Sequence, residues 1–304
     1  MDFGLGLPTS GAGASPEAIV RVAVEAERIG LASVWTFERL LRPAALASPD
    51  GPSIPDYYAT VYEPIETLAY VAAKTDRIRL GTSVIDALFH PPVVLARRLA
   101  TLDRLSGGRV VAGVGQGWMP EEFAVAGVPQ KRRGAGFEEH LTAMRAVWRA
   151  DPVSYEGRFY RIPESQIGPK PAQSGGPPLL VGASTPASAE RAARMGLGLN
   201  PIVGRPVFPT LDDLAGFLQT FRRAAEAAGH DPAVLPVVLR VNGAITETPR
   251  SDRQPLTGSV DQIIDELPRL DDLGITEVFW SMGAAVAPDD QIAAMTRLLA
   301  AAGR

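Results

Sequence analysis

Residues 77–118 read RIRLGTSVIDALFHPPVVLARRLATLDRLSGGRVVAGVGQGW, and their pattern decides the fold. Two β-rich runs, Arg77–Ile85 and Arg109–Gly115, flank one amphipathic helix, Val93–Leu105, closed by Gly107-Gly108. A strand, a crossover helix and a second strand form a βαβ unit, whose ligand site lies at the carboxyl ends of its strands. Both strands end in small or polar residues, where a ligand can approach the backbone.

The same alternation extends in both directions. Asp2–Pro8 is a first strand. Ser15 caps the next helix with Pro16 at its first position. Ile19, Val22, Ala23, Ala26 and Ile29 make its apolar stripe, and Gly30 ends it. Ala32–Phe37 is the second strand and Pro64–Lys74 its helix. Beyond residue 118, Gly134–Arg149 is helical. Strands follow at Leu179–Ala183, Leu197–Val203, Pro236–Thr246 and Ile275–Ser281. Their helices are Pro186–Met195, Leu211–Ala228, a segment opened by the capping-box spacing of Ser259 and Gln262, and Asp289–Ala302. Pro268 is expected to kink or shorten the third of these. Eight strand–helix units predict a single-domain α/β (β/α)8 TIM barrel over residues 1–304, a fold that takes ~250 residues. The surplus of about 50 residues over that size falls in insertions at about 41–61, after strand two, and 151–178, after the fourth helix. The competing architecture is an open doubly wound sheet, but the segment from Gly4 to Pro8 lacks Rossmann glycine spacing.

Bulk composition narrows the function. The 304 residues are 46% hydrophobic and 21% charged, with a net charge of −4. No basic block favours nucleic acid, and no apolar run approaches the ~18 residues of a membrane helix. The first 20 residues lack the order of a secretory signal, so a cytoplasmic protein is expected. With 0 cysteines and only 3 histidines (His90, His140 and His230), thiolate chemistry is excluded and no metal site is expected.

A barrel places its chemistry at the carboxyl ends of its strands. Strand two ends at Phe37-Glu38-Arg39, an adjacent acid and base or, more plainly, a solvated pair. Strand three ends at Gly81-Thr82-Ser83-Val84-Ile85-Asp86, with His90 just beyond. Strand four ends at Gly113-Val114-Gly115-Gln116-Gly117-Trp118. Its alternate glycines clear one side, so that a flat ring or phosphate reaches backbone N–H groups, or else they mark a tight corner. Gly182-Ala183-Ser184-Thr185-Pro186 opens a helix whose free donors suit an anion, or is a plain cap. Asn200 ends strand six. His140 and His230 read as incidental.

Taken together, GLGLP (4–8), EAERIGLASVW (25–35), RIRLGTSV (77–84), HPPVVLARRLATLDRLSGGR (90–109), GVGQGW (113–118) with EEF (121–123), GRFYRIP (157–163), GPKPAQ (168–173), PPLLVGASTPASAERAARMG (177–196) and LTGSVDQIIDEL (256–267) resemble the bacterial luciferase-like superfamily. The similarity is to its deazaflavin (coenzyme F420)-dependent oxidoreductase branch. The resemblance implies a cofactor held at the barrel rim and a small-molecule substrate. It implies a bulge with a non-proline cis peptide at Ser83–Val84 backing the ring. Gly115, Gln116 and Gly117 would run beside the cofactor chain, and Gly182, Ala183, Ser184 and Thr185 would meet its phosphate. It also implies a homodimer or higher homo-oligomer.

Two departures stand out. Glu38-Arg39 replaces an Asp-His pair common in that branch, and Gly196-Leu197-Gly198-Leu199-Asn200 replaces a GDGW-like motif. Glu38 is therefore assigned as acid or base, Arg39 to a polar substrate group, and His90 as a further catalytic candidate. Phe37, Asp86, Trp118 and Asn200 are assigned to the substrate pocket. An FMN-dependent monooxygenase is the alternative, and a flavin-binding barrel without turnover the second.

Overall fold

The structure, a computed structural model, describes residues 1–44, 54–283 and 286–303. In chain order it contains β1 (Asp2–Gly6), α1 (Pro16–Arg28), β2 (Ser33–Thr36), α2 (Pro64–Ala72), β3 (Arg79–Thr82, continued by Ile85–Asp86), α3 (Pro92–Leu105) and β4 (Val110–Gly115). Next come α4 (Pro120–Val125), α5 (Ala135–Val147), β5 (Leu179–Val181), α6 (Pro186–Arg194), β6 (Gly198–Leu199, continued by Ile202–Val203) and α7 (Leu211–Ala227). The chain finishes with β7 (Val238–Asn242), α8 (Val260–Ile264), α9 (Leu267–Asp272), β8 (Glu277–Ser281) and α10 (Pro288–Ala301).

These strands form a curled, parallel α/β sheet. β1 lies between β8 and β2, β2 meets β3, and β3 meets β4. β4 pairs with β5, which pairs with the first piece of β6. The second piece of β6 pairs with β7, Leu199 bridges Val237, and β7 pairs with β8. Among the described residues, no helix is long and apolar enough to cross a membrane.

The expected helix boundaries hold to within a few residues because caps set them. Ser15 Oγ accepts from Ala18 N at 3.1 Å with Pro16 inside the first turn. Ser259 and Gln262 form the expected capping box. The helix expected to be kinked or shortened by Pro268 is shortened: α8 ends at Ile264 and Pro268 lies in the first turn of a second short helix, α9, because proline opens a helix but lacks the N–H to continue one. Helix α4 has no counterpart in the periodicity reading; its six residues are too few to show a stripe. Strand three, read as one run from Arg77 to Ile85, is two pieces interrupted at Ser83 and Val84, and that peptide bond is cis. The first expected insertion, at about 41–61, lies partly outside the described residues; the segment 151–178 contains an antiparallel hairpin of Val153–Glu156 and Arg161–Ser165.

A small cluster centred on one indole packs inside the sheet. Trp35 packs with Leu180, Val238 and Phe279, stacking on Phe279 with centroids 4.7 Å apart and planes at 12°. Its indole N–H donates to Ser33 Oγ at 2.7 Å and Glu277 Oε1 at 2.9 Å, so the buried ring leaves no unpaired donor. Arg79 donates to Glu277 Oε2 at 2.6 Å and completes that polar layer at the amino ends of the strands. Gly81 makes room for the indole: a Cβ there would lie 2.2 Å from Trp35 Cε3. Replacing Gly81 by alanine should therefore destabilise the fold by about 1–3 kcal/mol through overpacking. Combining G81A with W35L should cost less than the sum of the two single changes, by about 1 kcal/mol in a denaturant double-mutant cycle. Additive costs would show that the ring does not dictate the glycine.

Candidate active site

A cavity of about 340 Å³ opens where the carboxyl ends of six strands meet. Its lining includes Phe37, Glu38, Arg39, Ser83, Val84, Asp86, Gly115, Gln116, Gly117, Trp118, Gly182, Ala183, Ser184, Thr185 and Asn200, so segments far apart in the chain share one space. His90 is the one expected site residue that does not line it, yet its Nε2 lies 2.7 Å from Glu38 Oε1. Tyr58, Arg133, Ser188, Ile202, Val207, Arg240 and Asn242 also line the cavity, and none was singled out from the sequence.

The four residues from Ser83 to Asp86 organise the site. Ser83 N–H donates to Thr36 O at 2.7 Å, and its hydroxyl donates to Asn200 Oδ1 at 2.6 Å. Asn200 in turn donates to Val238 O at 2.7 Å, which fixes its amide. Glu38 N–H donates to Val84 O at 3.2 Å, and Asp86 N–H returns a bond to Glu38 Oε2 at 2.8 Å. Gly117 N–H donates to Asp86 Oδ1 at 3.0 Å.

The glycines around this segment serve the protein before any ligand. A Cβ on Gly113 would lie 1.9 Å from Thr82 O, and one on Gly115 would lie 2.6 Å from Val84 Cγ2. One on Gly182 would lie 3.1 Å from Val84 Cγ1. The glycines of strand four, expected either to clear space for a ring or phosphate or to mark a tight corner, make room for the interrupted third strand at Gly113 and Gly115, while Gly115 and Gly117 also line the cavity. Gly117, at φ 73°, packs beneath Phe89 and Phe123.

Three carboxyl groups and one arginine are buried together. Arg39 forms an ion pair with Glu122, and its Nη2 lies 3.8 Å from Asp86 Oδ2. Leu40 N–H also donates to Glu122 Oε1, at 2.8 Å. The Arg39 guanidinium sits 5.4 Å from the ring centroids of both Tyr58 and Trp118, a cation held between two aromatic faces. Its Nε is buried without a hydrogen-bond partner among the described residues. The Glu38-Arg39 pair is therefore not a solvated surface pair; each member bonds elsewhere. Burial pushes the Asp86 carboxyl up to about 7, Arg39 opposes that shift, and Glu38 and Glu122 add to it. Burial also raises Glu122. Beneath the cluster, His140 Nε2 lies 2.9 Å from His90 O, and burial drives the His140 imidazole down to about 4. His140 is thus neutral and donates to that carbonyl, a structural tie where the sequence suggested nothing. His230 approaches Arg194 O at 3.3 Å, away from the cavity.

At the far end, Thr185 and Ser188 form a capping box on α6. Ser184 and Thr185 N–H groups both turn to Ser188 Oγ, at 3.3 and 3.0 Å. The helix start is partly self-satisfied, and the exposed Arg133 lies on the same wall.

Residues 1–255 match the family model described as luciferase-like monooxygenase. The chain belongs to the luciferase-like monooxygenase family. An uncharacterized protein of Mycobacterium tuberculosis is 34% identical over 305 residues, covering 99% of this chain and 98% of that protein. The F420-dependent glucose-6-phosphate dehydrogenase of Amycolatopsis mediterranei is 33% identical over 220 residues, 71% of this chain and 62% of that enzyme. Among solved structures, the coenzyme F420-dependent tetrahydromethanopterin reductase of Methanopyrus kandleri superposes with a TM-score of 0.78 at 17% identity, covering 100% and 99% of the two chains. That likeness extends the luciferase-like fold over the whole chain.

The raised Asp86 pKa predicts a pH effect with a definite sign. The folded state holds this proton more tightly than the unfolded chain, so Asp86 costs stability progressively as pH rises from about 4 to about 7. The upper bound is about 4 kcal/mol, three pH units at 1.36 kcal/mol each. The near-isosteric Asp86→Asn change removes the ionisation and should gain stability relative to the wild type as pH rises from 5 to 8 in urea melts. A difference that is flat with pH would show that Asp86 titrates normally.

Proposed function

We propose that this luciferase-like protein is an oxidoreductase that exchanges a hydride between coenzyme F420 and a small organic substrate. In this reading the curled sheet is a closed (β/α)8 barrel formed by residues 1–304 as one domain. The cofactor lies at its carboxyl-terminal rim. The observation that carries the reading is one cavity lined by the segments 83–86, 115–117 and 182–185, each assigned to the cofactor by resemblance, together with a buried acid cluster. The residues present fit the group. Val84 offers an apolar surface between Gly115 and Gly182. Ser184, Thr185 and Arg133 supply hydroxyl and cationic partners for a phosphate. Arg39 Nε is a buried donor still open to an acceptor.

Bound there, the deazaflavin supplies the hydride acceptor or donor. The protein supplies orientation and protons. Glu38 and His90 share a hydrogen bond through Oε1 and Nε2, so a proton can be held at either atom. Asp86, with its carboxyl near 7, is placed to exchange a proton close to neutral pH. Phe37 and Trp118 wall the space. FMN also carries a phosphate, so an FMN-dependent monooxygenase is the second reading, supported by the family's description. A barrel that binds such a ligand without turnover is the third. A cytoplasmic setting and a homodimer or higher homo-oligomer complete the proposal, supported by composition and by resemblance respectively.

Calorimetric titration tests this directly. F420 should bind saturably and at least tenfold more tightly than FMN. Arg133→Gln should weaken F420 by about threefold to tenfold by removing a charge from the phosphate, while the phosphate-free deazaflavin chromophore should bind unchanged. E38Q should keep F420 affinity while lowering turnover. The reverse cofactor preference would favour the monooxygenase, and binding of neither would remove the redox assignment.

A further inference from the structure

The cavity is lined by three arginines in unlike surroundings. Arg39 is paired with Glu122 and lies 3.8 Å from Asp86, and Arg133 is exposed to solvent. Arg240 stands on β7, 201 residues from Arg39 in the sequence (240 minus 39), and lines the same cavity. Its Nε donates to Asn242 Oδ1 at 2.8 Å and its Nη1 to Ser83 O at 2.5 Å. The guanidinium lies 5.4 Å from the Phe37 ring centroid. No carboxylate among the described residues faces it; the titratable groups around it are Tyr57, Tyr58 and the cation Arg39. Burial lowers its pKa, yet a guanidinium stays charged at any ordinary pH. A part-buried cation beside a second cation, with no acid facing it among the described residues, is costly in the free protein. An anion entering the cavity offsets that cost.

Geometry selects the kind of anion. Two of the five guanidinium N–H donors are taken by Asn242 and Ser83, which leaves three for a ligand. A planar carboxylate matches such donors in a paired, parallel arrangement. The neighbouring walls are Phe37, Tyr58, Ile202 and Val207, which suit an apolar or aromatic body and offer no further cation. Arg240 is also bonded to the carbonyl of Ser83, so whatever it holds lies against the segment that the redox reading places behind the cofactor ring.

We propose that Arg240 anchors the carboxylate of the substrate, so that this site takes a small organic acid with an apolar or aromatic body. The proposal rests on the redox reading above for the word substrate, while the anion site itself stands on the cavity alone. It exchanges the expected roles of two arginines. Arg39 is held by the protein's own acids, and Arg240 is the one left for the ligand.

Benzoate and its uncharged analogue benzamide are the probes, titrated calorimetrically into the full-length protein at pH 7. Benzoate should bind saturably and at least tenfold more tightly than benzamide, the difference expected for a charge-assisted pair. R240Q should erase that preference, R240K should keep part of it, and F420 should bind R240Q within twofold of the wild type. Equal affinity for the two probes, or an R240Q variant that still prefers benzoate, overturns the proposal. A loss of F420 affinity in R240Q also overturns it, by assigning Arg240 to the cofactor. Should R240Q fail to fold, R240K is read in its place, and a wild type that binds the two probes equally still overturns the proposal. F420 binding without benzoate binding removes the anchor and leaves the redox reading. Benzoate binding without F420 binding supports the anion site and removes the redox reading.

Discussion

The site depends on how closely the interrupted third strand approaches its neighbours. The Thr82 carbonyl rests where a side chain at 113 would stand, and Val84 crowds positions 115 and 182; all three positions are glycines. From that seat, residues 83–86 receive or donate hydrogen bonds to Thr36, Glu38, Gly117, Asn200 and Arg240, which come from four other parts of the chain. A methyl group at Gly113 would meet the Thr82 carbonyl at 1.9 Å and lift the segment away from all of these partners. The glycines therefore act through the backbone they admit. This makes the cavity a property of strand packing, and the side chains around it inherit their positions from that packing.

The electrostatics follow from the same arrangement. Glu38, Asp86 and Glu122 are nearly inaccessible to water, and one arginine serves two of them. Buried carboxylates share so little positive charge only if one of them holds its proton, and Asp86 is the one displaced to about 7. Glu38 meets His90 and the Asp86 amide, so both of its oxygens are committed. A cluster with one mobile proton near neutrality is suited to acid–base work beside a redox ring. On the opposite wall the balance is reversed, with Arg240 positive and without an acid among the described residues. The cavity is thus divided into a proton-bearing side and an anion-seeking side.

Much of the luciferase-like fold was legible from residues 77–118 outward. The helix starts at Ser15 and Ser259 were written in their caps, and the ends at Gly30 and Gly107-Gly108 in residues that adopt positive φ. The break in strand three came from resemblance, while the segments that meet at the cavity were drawn from the strand ends, and the structure brings them together. Helix α4 was missed because six residues carry no readable period, although it supplies Glu122, the partner of Arg39. Arg240 was missed because strand seven carries no local mark of function. An arginine in a β-run reads as an ordinary solvated side chain.

The sequence alone determined the alternation of strands and helices, the positions of the caps, the absence of thiol chemistry and the set of strand ends from which a site must be drawn. These follow from interactions within a few residues along the chain, where spacing and side-chain type suffice. Only the tertiary structure decided what the glycines make room for, which buried acid has its pKa raised toward neutrality, and which part-buried cavity arginine faces no acid among the described residues. Those outcomes depend on partners that are tens to more than a hundred residues away, and on the loss of water around them. Neither distance through space nor desolvation is encoded in any single stretch of the chain.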